Sequence, residues 1–306
     1  MATVTKSSKI LRASKMLFKG QPKHYRRTMK FREYDFQAFD QDRWLKIWFS
    51  DLVSQGDYTS LEELELYDCE LDLGFSQGHE DETDIQAKEF SDAIQFCSSA
   101  CEDWSTRYLL SCMLFDPEGW LVATDGRRLH RRMVGKIATN PNGCTVRASD
   151  CDVVVGLIKL FGDDVVSVRF SDKRVYFRGL HWMFSCELSF GRFPNWRHVL
   201  TDESRPLVAE FDKRELRQVC EIEKRNAALR SKLAKGKLTT SKDRKDFTDE
   251  IPGVLIANVK YDARFLLDAL DGVCGSKVGF YRSDESAALF FGDAGFGCSG
   301  CMMGLR

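Results

Sequence analysis

The feature that most constrains the fold is a recurring unit of one short strand, an amphipathic helix and three further strands. Its clearest copy has a strand at Thr145–Ser149, a helical pattern over Asp152–Phe161, and strand patterns at Val165–Phe170, Arg174–Arg178 and Trp182–Phe190. Apolar residues near a 3.6-residue period indicate the helix, and alternation between turn residues indicates the strands. A unit of roughly 50 to 60 residues buries its sheet face against a neighbour, so the repetition predicts packed units.

Two further copies flank this one. The upstream copy predicts a strand, a helix and three strands in the order Thr83–Ala87, Lys88–Cys101, Arg107–Phe115, Trp120–Thr124 and Arg128–Val134. The downstream copy predicts the same order at Val254–Lys260, Tyr261–Leu270, Lys277–Arg282, Ala287–Phe291 and Cys298–Leu305.

Two other units are incomplete. Residues 29–75 have room for a strand, a helix over Arg43–Val53 and one or two strands, and Arg205–Phe211 starts a unit whose helix runs from Lys213 toward Leu233. Residues 236–250 are polar and charged, which predicts a loop or a helix extension. The sequence therefore predicts an α+β protein with a basic tail and reduced module (1–81), a most intact domain (82–204) and a last domain with a degenerate first repeat (205–306).

Four strings within these units carry a resemblance to a known family. Arg107–Phe115 reads RYLLSCMLF, Val122–Leu129 reads VATDGRRL, Gly191–Leu200 reads GRFPNWRHVL, and Met302–Arg306 reads MMGLR. In order and spacing they resemble the segments RYxLxGxxF, ATDGHRLA, GRFPDYRRVLP and MPMRL of the bacterial DNA polymerase III beta subunit, the sliding clamp. The resemblance covers roughly residues 83–306 and implies the DNA-clamp fold, in which βαβββ units join into a homo-oligomeric ring with sheets outside and helices inside.

The resemblance implies that double-stranded DNA passes through the ring and is held by its phosphates, independently of sequence. Basic side chains on the inner helices, and the loop before the RYxL strand, would supply the contacts. The expected DNA-binding residues are Trp104, Arg107, Tyr108, Lys159, Lys213, Arg214, Arg217, Lys224, Arg225, Arg230 and Lys232.

The resemblance also implies a hydrophobic groove that receives short peptides of the DNA polymerase and the clamp loader. Carried over position by position, the groove consists of Leu110, Thr124, Gly126, Arg128, Leu129, Pro194, Val199, Cys301 and Met303. Apolar side chains would hold an anchor residue while exposed backbone fixes the direction of the peptide. The chain departs from the family at Arg127, where the family usually has His, and at His198, where it often has Arg.

These features favour a non-enzymatic processivity factor. Ring closure in the family uses the first and third domains, which are the reduced ones here, so an alternative is an adaptor or competitor that keeps the groove without forming a closed ring. An enzyme that acts on nucleic acid is a third alternative, with Asp125 as its candidate catalytic carboxylate. The Asp125-Gly126 pair is more typical of a hairpin turn, because Gly tolerates positive φ.

Composition sets further expectations. The net charge is only −1, but residues 6–32 carry ten Lys and Arg without an Asp or Glu, and residues 62–84 carry ten Asp and Glu without a Lys or Arg. Such segregation suits a protein with one face toward phosphate. No apolar run approaches the roughly 20 residues of a membrane span. The 11 scattered cysteines suggest free thiols in the cytoplasm, and the resemblance implies association with the nucleoid. Cys298–Cys301 lacks the second pair of a zinc site, so no metal or cofactor is expected.

Overall fold

The computed structural model describes an α+β protein. The described residues are 12–13, 15–17, 27–31, 35–40, 42–48, 82–102, 108–137, 139–200, 205–237, 252–282, 288–293 and 298–304. They form two compact units that each draw on separate stretches of the chain. The first unit takes residues up to 98, 103–121 and 133–193, and the second takes 99–102, 122–132 and 194 onward.

The elements are numbered in chain order. The strands are β1 (Arg27–Phe31), β2 (Asp35–Asp40), β3 (Arg43–Trp48), β4 (Thr83–Gln86), β5 (Cys112–Phe115), β6 (Trp120–Thr124), β7 (Arg128–Met133), β8 (Cys144–Arg147), β9 (Val165–Phe170), β10 (Arg174–Arg178), β11 (Trp182–Glu187), β12 (Leu207–Asp212), β13 (Gly253–Ile256), β14 (Val259–Asp262), β15 (Lys277–Tyr281), β16 (Ala288–Asp293) and β17 (Cys298–Met303). The helices are α1 (Ala87–Ser98), α2 (Ala148–Phe161), α3 (Trp196–Leu200), α4 (Lys213–Lys237) and α5 (Ala263–Asp271), and Tyr108–Ser111 forms a 3₁₀ turn.

The first unit is built on a seven-stranded sheet in the order β1-β2-β3-β11-β10-β9-β4, and β5 pairs separately with β8. Helices α1 and α2 pack together, and the apolar stripe of α1 faces the sheet. The Phe90 ring lies 6.1 Å from Phe177 of β10 and 6.3 Å from Phe115 of β5. Each fully buried ring of this kind stabilises the fold by about 1.5–3 kcal/mol.

The helix predicted over Arg43–Val53 is wrong for the residues that the structure describes. Arg43–Trp48 is the strand β3, paired antiparallel with β2 on one side and β11 on the other. A short run that contains Trp44, Leu45 and Ile47 fits a buried strand as well as a helix. Here it forms a strand because it pairs with both β2 and β11. Residues 49–53 lie outside the described residues.

A buried ion pair ties β3 to α2. The Arg43 side chain is 3% exposed and Asp150 is fully buried, and Arg43 Nε donates to Asp150 Oδ1 at 2.5 Å. Arg147 Nε donates to the other oxygen of Asp150 at 3.0 Å, and Arg147 also pairs with Asp42. Arg43 Nη1 donates to the Leu17 carbonyl at 3.0 Å. The N-terminal strands are therefore held by charge as well as by backbone pairing.

The second unit contains strands in the order β12-β15-β16-β17-β7, followed by the last residues of β6. Helices α4 and α5 pack against each other. The single strand predicted over Val254–Lys260 is wrong, because the chain reverses there. β13 and β14 form a hairpin whose turn residues Ala257 and Asn258 have φ of 45° and 64°. Two successive positive φ values are typical of a tight hairpin turn, and Ala is an unusual residue for it, which hid the turn in the sequence.

The remaining elements follow the predicted order with small shifts of their ends. The first part of the expected strand Arg107–Phe115 is instead the 3₁₀ turn at Tyr108–Ser111. Helix α4 extends to Lys237, past the expected end near Leu233, and residues 238–251 lie outside the described part. The three-domain division at residues 81 and 204 stays a prediction.

Candidate groove and basic helix

The turn between β6 and β7 is closed by its own side chains. Asp125 Oδ1 accepts hydrogen bonds from the backbone N–H groups of Arg127 and Arg128, both at 2.9 Å. Thr124 Oγ1 accepts from Gly126 N at 3.1 Å and donates to the Arg128 carbonyl at 2.7 Å. Gly126 has a φ of 81°, which an L residue adopts only with strain. Asp125 thus shapes the backbone here, and its second oxygen accepts from Arg128 Nε at 3.0 Å.

The last strand brings the C-terminal groove residues to this turn. In the antiparallel pairing of β17 with β7, Cys301 lies opposite Leu129, and both are buried. Met303 N donates to the Arg127 carbonyl at 2.9 Å, so the pairing with β17 continues to the residue before β7. The Met303 side chain is 49% exposed. Buried residues thus form the floor of this surface, and an exposed thioether lies at its edge.

Helix α3 adds a second apolar edge. It contacts β17, and its Val199 side chain is 41% exposed. Pro194 is exposed at the start of the helix, where its carbonyl accepts from Trp196 N at 2.7 Å. The second unit therefore contains all the predicted groove residues except Leu110. Leu110 is buried in the 3₁₀ turn of the first unit.

Two further residues contact the groove and were missed by the sequence analysis. Arg128 donates to Asp268 on α5, and its guanidinium lies 4.2 Å from the centre of the Phe265 ring. Burial raises the pKa of the Asp268 carboxyl, and the hydrogen bond and charge of Arg128 act in the opposite direction. Phe265 and Asp268 are three residues apart and share one helix face. The sequence signal that could have identified these two residues is an aromatic residue and an acid three positions apart, beside the buried stripe of the helix.

Three more arginines surround α3. The guanidinium carbons of Arg131 and Arg197 lie 5.9 Å and 4.6 Å from the centre of the Trp196 ring. Arg205 lies 3.6 Å from the centre of the Phe290 ring and donates to the Val199 carbonyl at 3.3 Å. Stacking on aromatic faces holds guanidinium groups in place without removing their charge.

Helix α4 carries nine Lys and Arg against three Glu. Leu216, Cys220 and Ala227 are buried along one side, so the helix packs through a narrow stripe. Three of the predicted DNA-binding residues on it are exposed: Arg214, Lys224 and Arg225.

Other predicted DNA-binding residues are placed differently. Lys213 Nζ donates to the Val273 carbonyl, and Arg217 pairs with Asp271 at 2.5 Å, so both are held against neighbouring chain. Lys159 is exposed near the end of α2 in the first unit. The remaining predictions are not tested by the described side chains: Trp104 and Arg107 lie outside the described residues, and Tyr108, Arg230 and Lys232 are described only by their backbone.

The cysteines of the described part are free thiols. Within the same part, no group of three or more His, Cys, Asp and Glu side chains is arranged to hold a metal ion. None of the described helices has the length and apolar character of a membrane span.

Comparison with known proteins places the fold. No family model and no curated protein matches the sequence. Among solved structures, the DNA polymerase III beta subunit of Thermotoga maritima is similar with a TM-score of 0.69 and 14% identity, over 99% of this chain and 98% of that chain. The chain has the fold of the sliding clamps. The DnaN sliding clamp of Bartonella birtlesii bound to griselimycin gives a TM-score of 0.68 at 14% identity, with 99% and 98% covered. The Helicobacter pylori beta clamp bound to a DNA ligase peptide gives 0.67 at 14% identity, with 98% of each chain covered.

The fold implied by the four sequence strings is thus confirmed. The likeness also extends beyond the strings, because 98% or more of the chain is covered whereas the sequence resemblance begins near residue 83. At this level of identity the similarity establishes the fold, and the roles of individual side chains rest on their own geometry.

Proposed function

We propose that this protein is a non-enzymatic, sliding-clamp-like processivity factor. It holds double-stranded DNA without sequence preference and binds peptides of a DNA polymerase and a clamp loader in the groove of the second unit. It acts in the cytoplasm on the nucleoid as a homo-oligomeric ring. The observation that carries this proposal is the likeness to sliding clamps over nearly the whole chain.

The groove supports the peptide-binding part. A Helicobacter pylori clamp of the same fold is bound to a DNA ligase peptide. In this chain, Val199 and Met303 expose apolar surface beside a buried floor of Leu129 and Cys301. Methionine adapts its shape to different ligands, which suits a groove that serves several partners. Both oxygens of the Asp125 carboxylate accept hydrogen bonds within the turn, which favours a binding role of this site over a catalytic one.

The exposed bases of α4 support the DNA-binding part. Arg214, Lys224 and Arg225 are available to phosphates, and each neutralised phosphate steepens the salt dependence of binding. We expect Arg214→Ala and Arg225→Ala each to reduce the slope of log K against log salt by about 0.9 per subunit. Lys260→Ala removes an exposed charge from the β13–β14 hairpin and serves as the control. Equal slopes for all three variants would exclude α4 as the DNA-binding surface.

Ring formation is tested by topology. The full chain is examined by light scattering on a sizing column, and its retention on closed circular DNA is compared with retention on the same DNA after linearisation. A discrete oligomer that stays on circles and leaves linear DNA supports the clamp. A monomer that does not bind DNA refutes the clamp proposal.

The groove is tested with a fluorescent synthetic peptide that carries a Leu-Phe anchor. We expect Met303→Glu to reduce peptide affinity by at least about tenfold, because it places a charge in the apolar edge. Met133→Glu is the matched control, since its side chain is also 49% exposed but is not one of the groove residues. Equal affinities for both variants would show that the peptide binds elsewhere.

A second candidate is an adaptor that binds the same peptides without a closed ring on DNA. It is favoured by the engagement of Lys213 with a backbone carbonyl and of Arg217 with Asp271, which leaves fewer α4 bases for phosphate. Peptide binding without retention on circular DNA would select this candidate.

A further inference from the structure

An exposed apolar pair on α4 is not accounted for by DNA binding. Val219 and Ile222 are 48% and 55% exposed, and residues three positions apart lie on one face of a helix. The buried residues of α4, which are Leu216, Cys220 and Ala227, lie on a different side of the helix. Phosphates interact with charged and polar groups, so the two aliphatic side chains contribute nothing to that contact. The pair is therefore surface that an apolar ligand could cover.

The pair belongs to a regular stripe along the helix. Asn226 follows Ile222 by four positions, and Leu229 and Leu233 follow at intervals of three and four. Single apolar residues are common on protein surfaces, but alternating intervals of three and four form the seam through which one helix packs on another. A polar Asn at one seam position fixes the register of such a helix pair. The backbone is helical from Val219 to Leu233, so the stripe extends about 21 Å along the helix axis.

The charges beside the stripe decide which kind of helix fits it. Arg225 is exposed on the flank remote from the buried side, and Lys232 occupies the equivalent position seven residues later. On the other flank, Glu223 and Arg230 have opposite charges. A second copy of α4, with nine Lys and Arg against three Glu, would bring an excess of bases against bases, and like charges across a helix pair oppose association. Charge complementarity therefore selects an acidic helix.

We propose that α4 is a docking site for an acidic amphipathic helix of another protein. Apolar residues of the partner pack on Val219 and Ile222, and its carboxylates lie beside Arg225. A contact of about two heptads buries less than the roughly 1,200 Å² of a stable interface, so the complex is transient. This inference goes beyond the proposed function, because it concerns a protein ligand and does not involve the groove. Arg225 is also proposed to bind phosphate, so DNA and the partner helix exclude each other at this position.

The probe is a fluorescent synthetic peptide of three heptads with Leu at the seam positions, Asn at the central one and Glu at the flanking positions. Its glutamates repel one another, which keeps the free peptide from pairing with itself. A second peptide has Lys in place of every Glu. Each peptide is titrated with the full-length protein at about 0.15 M salt and followed by fluorescence anisotropy. We expect the Glu peptide to bind at least about tenfold more tightly than the Lys peptide, and to gain helical circular dichroism on binding.

Three variants assign the contact to the stripe. Ile222→Ala is expected to reduce affinity for the Glu peptide about tenfold, because it removes most of an apolar side chain from the seam. Leu255→Ala is the matched control and should bind like the wild type, since Leu255 is 67% exposed on β13 of the same unit and lies outside the stripe. Arg225→Gln should reduce the preference for the Glu peptide. Ile222→Ala should leave the salt dependence of DNA binding unchanged, because it removes no charge.

The outcomes separate this inference from the proposed function. If the two peptides bind equally, or if neither binds, docking of an acidic helix is refuted, whereas DNA binding by α4 is judged by the salt dependence of Arg214→Ala and Arg225→Ala. If Ile222→Ala binds the Glu peptide as tightly as the wild type, the peptide binds elsewhere and the inference is overturned. It is also overturned if Ile222→Ala converts an oligomer into a monomer on the sizing column, because a second copy then covers the stripe. A short DNA duplex should displace the Glu peptide, and simultaneous binding of both would place the peptide away from Arg225 and overturn the assignment.

Discussion

Removing the charge of Asp150 should destabilise the first unit more than any single surface substitution. Asp150 is fully buried and Arg43 is 3% exposed, so Asp150→Asn leaves the Arg43 guanidinium buried without its carboxylate. Breaking a buried pair by removing one partner costs about 3–5 kcal/mol. Arg147 loses a contact too, but it is 34% exposed and keeps Asp42, so its share is small.

The assay is urea unfolding followed by tryptophan fluorescence. Trp44 on β3 and Trp182 on β11 are 4% and 0% exposed, so their emission reports the opening of the sheet beside the ion pair. With an m-value of about 3 kcal/mol/M for a chain of this size, the loss corresponds to a fall in midpoint of about 1–1.7 M. Asp152→Asn on the same helix is exposed and should change stability by less than about 0.5 kcal/mol.

A double variant separates the ion pair from general damage to the core. Replacing both partners, as in Arg43→Met with Asp150→Leu, removes both charges and should recover most of the stability lost in Asp150→Asn. The reasoning is refuted if the midpoint of Asp150→Asn lies within about 0.2 M of the wild-type value. It is also refuted if the double variant is no more stable than the two single variants predict by addition, because the pair would then contribute no favourable coupling.

Three further substitutions and one chemical modification test the packing. Trp182→Phe should lower the free energy of unfolding by about 1–3 kcal/mol, because the indole N–H of Trp182 donates to the Asp163 carboxylate at 2.6 Å. Trp196→Phe should change stability by less than about 1 kcal/mol, because its buried N–H has no acceptor in the described part; equal losses in urea unfolding would contradict this. Gly119→Ala should cost about 1–3 kcal/mol, because φ is 96° and a Cβ would lie 2.6 Å from a backbone carbonyl, and an unchanged melting temperature would contradict it. Burial raises the pKa of Cys220 to about 11, so at pH 8 about a hundredfold less of it is thiolate than of a thiol with the ordinary pKa. Iodoacetamide should therefore modify it much more slowly than the exposed Cys274, as followed by mass spectrometry.

The parts of the fold that the sequence could predict are those with local signals. The helix α2 and the three strands after it combine a 3.6-residue period, a glycine in the left-handed conformation at Gly162 and turn residues between the strands. The order of elements followed from these signals. β3 has no such local signal, because its six apolar and basic residues fit the period of a helix as well as that of a strand. Its conformation depends on its pairing with β2 and β11. The turn at Ala257 and Asn258 was missed for a related reason, since Ala does not mark a positive φ.

The candidate site divides in the same way. The turn from Thr124 to Leu129 is a local motif, and its hydrogen bonds join residues two to four positions apart. The contact of Arg128 with Asp268 joins residues 140 positions apart, and no local pattern encodes it. The bases of α4 were visible in the sequence, but the engagement of Arg217 by Asp271 depends on how α5 packs against α4.

The position of β3 in the first sheet has a consequence for how the chain can be divided. β3 is held by hydrogen bonds to β11 and by the contact of Arg43 with Asp150, and neither depends on the connection between residues 48 and 82. A polypeptide ending after β3 and a second one beginning before β4 therefore carry complementary halves of one sheet. Produced separately, the two fragments are expected to associate and restore the first unit. Fragment complementation would thus allow each half to be labelled or mutated on its own.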